Sequence, residues 1–147
     1  MMENQNKEQQ IWQRVLQGQE GQPRSDLRQL QLASMELAGI YRHLSGTLAG
    51  KQRELAKKLY EAEMETARCL KGASILAGRK EDVLTIWTPA KEPVRKLLER
   101  CYHQTRRCMV EYTARSAETE LGPIFQQLAR KAENRCAQIG HLLGMLP

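Results

Sequence analysis

Between Leu27 and Leu48 the chain sets Leu27, Leu30, Ser34, Leu37, Tyr41, Leu44 and Leu48 at unbroken gaps of three and four. An α-helix turns once in about 3.6 residues, so this series keeps to one face for about six turns. A helix that long with one apolar stripe must bury the stripe against other helices. The pattern predicts a helix over residues 25–49, ended by Gly50. A second periodic stretch starts almost at once and predicts a helix over 51–77. So short a connection makes the two helices antiparallel neighbours. The seam of the second helix reads Leu55, Leu59, Ala62, Thr66, Cys69, Ala73 and Leu76, with Glu63 bordering it.

Two further stretches follow the same rule. Val94, Leu97, Leu98, Cys101, Thr105, Cys108 and Tyr112 predict a third helix over 91–116, opened by prolines suited to a first turn. Leu121, Phe125, Leu128, Ala132, Arg135, Ile139, Leu142 and Leu146 predict a fourth over 119–143. Few β-branched residues and an excess of Ala, Leu, Glu, Gln, Lys and Arg exclude a substantial sheet. The fold class is therefore all-α, a four-helix bundle. At 147 residues the chain can bury one real core.

The connection between the second and third helices constrains the topology. Residues 79–90 are too many for a tight hairpin between helices. Fully extended they reach about 40 Å, close to the length of the helix before them. The chain can thus cross the whole bundle and start the third helix parallel to the second. Val83, Leu84, Ile86 and Trp87 would pin the crossover to the bundle side. Ahead of the bundle, Ile11, Trp12, Val15 and Leu16 suggest a short N-terminal helix within a polar tail, residues 1–24. The four-helix domain then spans 25–147.

Charge and cysteines narrow the partners and the compartment. The formal net charge is +6, with the basic residues spread along amphipathic stretches and densest in the third helix. That helix has no interleaved aromatics and no recognition motif, which argues against a nucleic-acid partner. No stretch has the ~20 apolar residues of a membrane span, and the N-terminus has no apolar signal core. A cytoplasmic location is expected. Cys69, Cys101, Cys108 and Cys136 lack Cys-x-x-Cys spacing and lie on or beside apolar faces. They are expected to be reduced, packing as small hydrophobes. His43, His103 and His141 stand on three different helices, and no nucleophile, His and acid come together in a motif.

The fourth seam carries an anomaly. Arg135 is a charge at a core position, one turn beyond the small Ala132. A buried guanidinium needs an acidic partner. Glu36, Glu63 and Glu99 are the candidates on the other helices.

At this point the chain resembles the ferritin-like superfamily, over residues 27–143. Glu36-Leu-Ala-Gly-Ile-Tyr41 is similar to the Glu and Tyr of the first ferritin helix. Ala62-Glu63-Met64-Glu65-Thr66-Ala67 resembles the Glu-Glu-x-x-His-Ala stretch of the second. The run from Phe125 through Ala132 to Arg135-Cys136 resembles the Phe…Ala…Glu-x-x-His stretch of the fourth rubrerythrin helix. The resemblance implies a ferritin-like four-helix bundle with a long crossover between helices 2 and 3. It also implies a di-iron site of four carboxylates and two imidazoles.

Carried over residue by residue, that site is damaged. Glu36 and Glu63 match carboxylates. Thr66 stands at a His position, Ala132 at a Glu position and Arg135 at the last His position. The third-helix carboxylate falls at Glu99 or Tyr102, with Glu111 as another candidate. The expected reading is a bundle without cofactor or catalysis, with Arg135 replacing the metal charge. It would serve as a structural or interaction module, forming a homodimer or other homo-oligomer. The alternative is a rubrerythrin-like or ferritin-like oxidoreductase that binds iron at an atypical carboxylate site.

Overall fold

The computed structural model describes residues 27–78, 91–117 and 120–147. The expected N-terminal helix, the residues between the second and third helices, and residues 118–119 lie outside the described residues. Among those described there are four helices and no strand: α1 (Leu27–Thr47), α2 (Gly50–Leu76), α3 (Val94–Ser116) and α4 (Gly122–Met145). Their bounds differ from the sequence expectations by at most three residues.

Helix α1 packs on α2 and α3, and α4 packs on α3 and α2, which gives a four-cornered bundle. Two apolar clusters fix the direction of each helix. One joins Leu44 of α1, Leu59 of α2, Leu97 of α3 and Leu142 of α4. The other joins Leu30 of α1, Leu70 of α2, Cys108 and Tyr112 of α3, and Leu128 of α4. Thus α1 runs antiparallel to α2, and α3 antiparallel to α4. Helices α2 and α3 run parallel, because both put their N-terminal halves in the first cluster. A chain leaving α2 at one end of the bundle therefore enters α3 at the other. A cross-link confirms the pairing of α2 with α4: Gln52 Nε2 donates to the carbonyl of Met145 at 3.1 Å.

Local chemistry sets the corners. Gly50 has φ of +60°, a left-handed conformation that a Cβ disfavours, and it lets α2 follow α1 immediately. Arg53 Nε donates to the Leu48 carbonyl at 2.8 Å, covering a backbone acceptor that the end of α1 leaves open. At the α3–α4 corner a Cβ on Gly122 would sit 2.5 Å from the Ser116 carbonyl oxygen, so only glycine fits. Pro123 occupies the first turn of α4, where no backbone donor is needed. Arg115 lies 5.6 Å over the Phe125 ring and ties the two helices together.

The seams of α1, α3 and α4 are buried as expected, except that Val94, Leu121 and Leu146 at the helix ends are half-buried. The seam of α2 needs correction. Its buried line is Ala56, Leu59, Glu63, Thr66, Leu70 and Ala73. Leu55, Ala62 and Cys69 are half-buried flanks, and Leu76 is 72% exposed. Glu63 therefore lies on the seam rather than beside it. An apolar flank invites the wrong register, and a carboxylate on the true seam hides the right one.

A buried charged layer as the candidate functional site

The two apolar clusters leave a polar layer between them. It draws on every helix: Ser34 from α1, Glu63 and Thr66 from α2, Thr105 from α3 and Arg135 from α4, all buried. Tyr41 belongs to one apolar cluster and Tyr112 to the other. Both tyrosines are electrostatically coupled to Glu63 and Arg135. The layer thus holds one acid and one base amid hydroxyls, with Ala132 one turn from Arg135.

At its centre Arg135 Nε stands 2.8 Å from Glu63 Oε2, with side chains only 2% and 1% exposed. The contact is a close ion pair but lacks the alignment of a hydrogen bond. Arg135 Nη1 also donates to Thr66 Oγ1 at 3.1 Å, and Thr66 Oγ1 donates to the Ala62 carbonyl at 3.1 Å. That back-bond to the preceding turn fixes the threonine rotamer and points a lone pair at the guanidinium. Burial raises the Glu63 pKa, while Arg135, and then Ser34, pull it down. Desolvation is the larger effect, so the carboxylate is held above its ordinary range. The guanidinium keeps its proton throughout, because it cannot be neutralised in a protein.

The remaining hydroxyls are less well served. Ser34 Oγ, Tyr41 Oη, Thr105 Oγ1 and Tyr112 Oη are buried and make no aligned hydrogen bond to the polypeptide. Ser34 does lie near enough to Glu63 and Tyr112 to influence both, as Thr105 does Tyr41. A buried hydroxyl left unsatisfied costs about 1–3 kcal/mol. Burial also raises the Tyr41 and Tyr112 pKa values well above the ordinary phenol range, so both hydroxyls stay protonated donors.

The sequence candidates divide accordingly. Glu63, Thr66, Ala132 and Arg135 are buried. Glu36 is only half-buried, and Arg135 pairs with Glu63 rather than with Glu36. Glu99 is exposed, and Tyr102 is half-buried against the first apolar cluster, bonded to Arg106 on the outside. Neither is in the layer, because both lie off the line of Leu98, Cys101, Thr105 and Cys108. Glu111 is half-buried. Helix α3 thus contributes a hydroxyl, Thr105, where a carboxylate was expected. The signal for it was present, since Thr105 is the polar residue on an otherwise apolar seam.

The layer does not fit a di-iron centre. Among the described residues no three His, Cys, Asp or Glu side chains converge. Glu63, the one buried carboxylate among the described residues, is already engaged by a permanent cation 2.8 Å away. The Arg135 guanidinium and the Thr66 hydroxyl beside it offer a metal ion charge repulsion and a weak donor. The cysteines are free thiols, Cys101 and Cys108 buried, Cys69 and Cys136 half-buried. Among the described residues no helix is long and apolar enough to cross a membrane.

Compared with known proteins, the chain matches no family model, no curated protein and no solved structure.

Proposed function

We propose that this chain is a ferritin-like bundle in which a buried Glu63–Arg135 pair has taken the place of di-iron chemistry, and that it acts as a structural or interaction module. The observation that carries the reading is the pair itself. Arg135 occupies the position where the resemblance puts a metal-binding imidazole, and its partner is the one carboxylate in the layer. A fixed cation 2.8 Å from Glu63 supplies the counter-charge that metal would otherwise bring. The parallel course of α2 and α3 supports the ferritin-like plan, which requires a crossover between them. The module works without cofactor and associates with its own copies as a homodimer or other homo-oligomer.

Iron loading tests the reading. Protein grown in iron-rich medium and titrated anaerobically with Fe(II) should bind iron far below one equivalent and develop no oxo-to-iron absorption. The variant Thr66→His/Ala132→Glu/Arg135→His restores the family donors and should gain iron binding. Near-stoichiometric iron in the wild-type protein would instead favour the oxidoreductase.

A further inference from the structure

We propose that the solvent face of α3 is a docking surface for an acidic polypeptide segment of another protein. The helix holds six basic and two acidic residues, a charge of +4, while no other described helix exceeds +2. Its buried seam through Leu98, Cys101, Thr105 and Cys108 turns the opposite side outward. On that side Arg95, Lys96, Arg100, Arg106 and Arg107 are all exposed. Two of these cations have partners nearby. Arg100 pairs with Glu92 at 3.1 Å. Arg106 Nη1 donates to the Tyr102 hydroxyl at 3.3 Å, and its guanidinium lies 5.8 Å over the same ring. Arg95, Lys96 and Arg107 form no ion pair among the described residues.

Spacing and sign select the partner. Arg95 and Lys96 stand near one end of the face and Arg106 and Arg107 eleven positions on, about 16 Å along the helix axis. Glu99 is exposed between them. A polypeptide can match this pattern. In extended form it sets acidic residues about five positions apart against the two basic ends and an uncharged side chain against Glu99. A nucleic-acid strand carries a charge at every step of about 3.4 Å, so it must bring phosphate to Glu99. It also prefers aromatic faces for its bases, and Tyr102 is half-buried against the core. A lipid surface needs apolar side chains to enter it, and α3 exposes no large one. A second copy of the chain is a poor complement, since each described helix is itself net positive.

Fluorescence anisotropy with the full chain tests the proposal. The probe is a labelled peptide with two glutamate pairs about five residues apart, and its control has glutamine at the same places. At about 0.1 M salt, where charges interact over about 10 Å, the wild-type protein should bind the glutamate peptide about tenfold tighter than the control or better. Arg95→Glu/Lys96→Glu/Arg107→Glu reverses the unpaired cations and should lose about tenfold or more. Lys51→Glu/Lys57→Glu/Lys58→Glu makes the same change in net charge on exposed positions of α2, diagonally across the bundle, and should stay within about threefold of wild type. Circular dichroism and urea midpoints establish that each variant folds. Should the reversal variant fail to fold, Arg95→Gln/Lys96→Gln/Arg107→Gln removes the same cations and should lose about threefold or more. Equal affinity for the two peptides, or equal losses in the α2 and α3 variants, would overturn the proposal. A double-stranded oligonucleotide that binds more tightly than the glutamate peptide, and depends on the same three α3 residues, would overturn it in favour of a nucleic-acid surface.

Discussion

Replacing both members of the Glu63–Arg135 pair should cost far less than replacing either. The pair is 2.8 Å apart with neither side chain more than 2% exposed. At the effective dielectric of about 20 that describes protein sites, unit charges at that separation attract by about 6 kcal/mol. Arg135→Met leaves a buried carboxylate with no counter-charge, and Glu63→Leu leaves a buried guanidinium in the same state. Such losses run to about 3–5 kcal/mol each. The two should not be equal. Glu63 can escape by taking up a proton, whereas the guanidinium has no such exit, so Glu63→Leu is the more damaging. The double variant buries neither charge, and its stability should lie within about 1 kcal/mol of wild type or above it. The coupling in a double-mutant cycle is then about 6–10 kcal/mol, the sum of the two single losses. Urea titrations followed by circular dichroism, at constant m and low temperature, give the four free energies. Arg130→Ala, on the exposed face of α4, is the control and should shift stability by about 0.5 kcal/mol or less. A coupling under about 1 kcal/mol, the value for exposed pairs, would refute the argument.

Three further outcomes follow from the same structure. Burial holds the folded-state pKa of Glu63 above its ordinary 4.5, so its stabilising contribution is present in acid and is lost as pH rises through the folded value. The stability gap between wild type and Glu63→Gln should therefore be widest below pH 4.5 and narrow upward, and a gap that widens with pH would contradict it. In the native protein Cys69 and Cys136 should react with a thiol reagent well before Cys101 and Cys108, which are buried, the latter with its pKa pushed up to about 12. Mass spectrometry after timed alkylation reads the order, and equal rates at all four would count against the packing described. Gly122→Ala forces a Cβ to within 2.5 Å of the Ser116 carbonyl oxygen and should destabilise the α3–α4 corner by about 1–3 kcal/mol, measured as a fall in urea midpoint.

Most of the bundle was legible in the sequence, for a physical reason. The seams of α1, α3 and α4 are written in large apolar residues at strict spacing, and Leu30, Leu97 and Phe125 have no stable place outside a core. Arg135 was legible by contrast, as a charge among such residues. Helix α2 was harder. It has apolar or small residues on several faces, and Leu55, Ala62 and Cys69 compete with the buried Ala56, Glu63 and Leu70 for places on the seam. Periodicity treats a carboxylate as a mark of the surface. Glu63 can lie on the seam only because a guanidinium some seventy positions later in the chain meets it, and no local window contains both. The candidates Glu99 and Tyr102 were carried by resemblance, and the register of α3 turns them away from the layer.

The position of that pair along the chain bears on how the protein is made. Glu63 belongs to the first helical hairpin and Arg135 to the second. A ribosome delivers α1 and α2 long before Arg135 exists. Until it arrives, the leading hairpin presents an ionisable acid on the face it must bury, and that face stays wet or protonated. The synthesis of α4 is then also the step that brings this acid its counter-charge. A chain cut short before residue 135 would retain a full apolar stripe on each completed helix yet lack the charge that lets them close. Such a truncated chain should remain open and be a ready substrate for quality-control proteolysis.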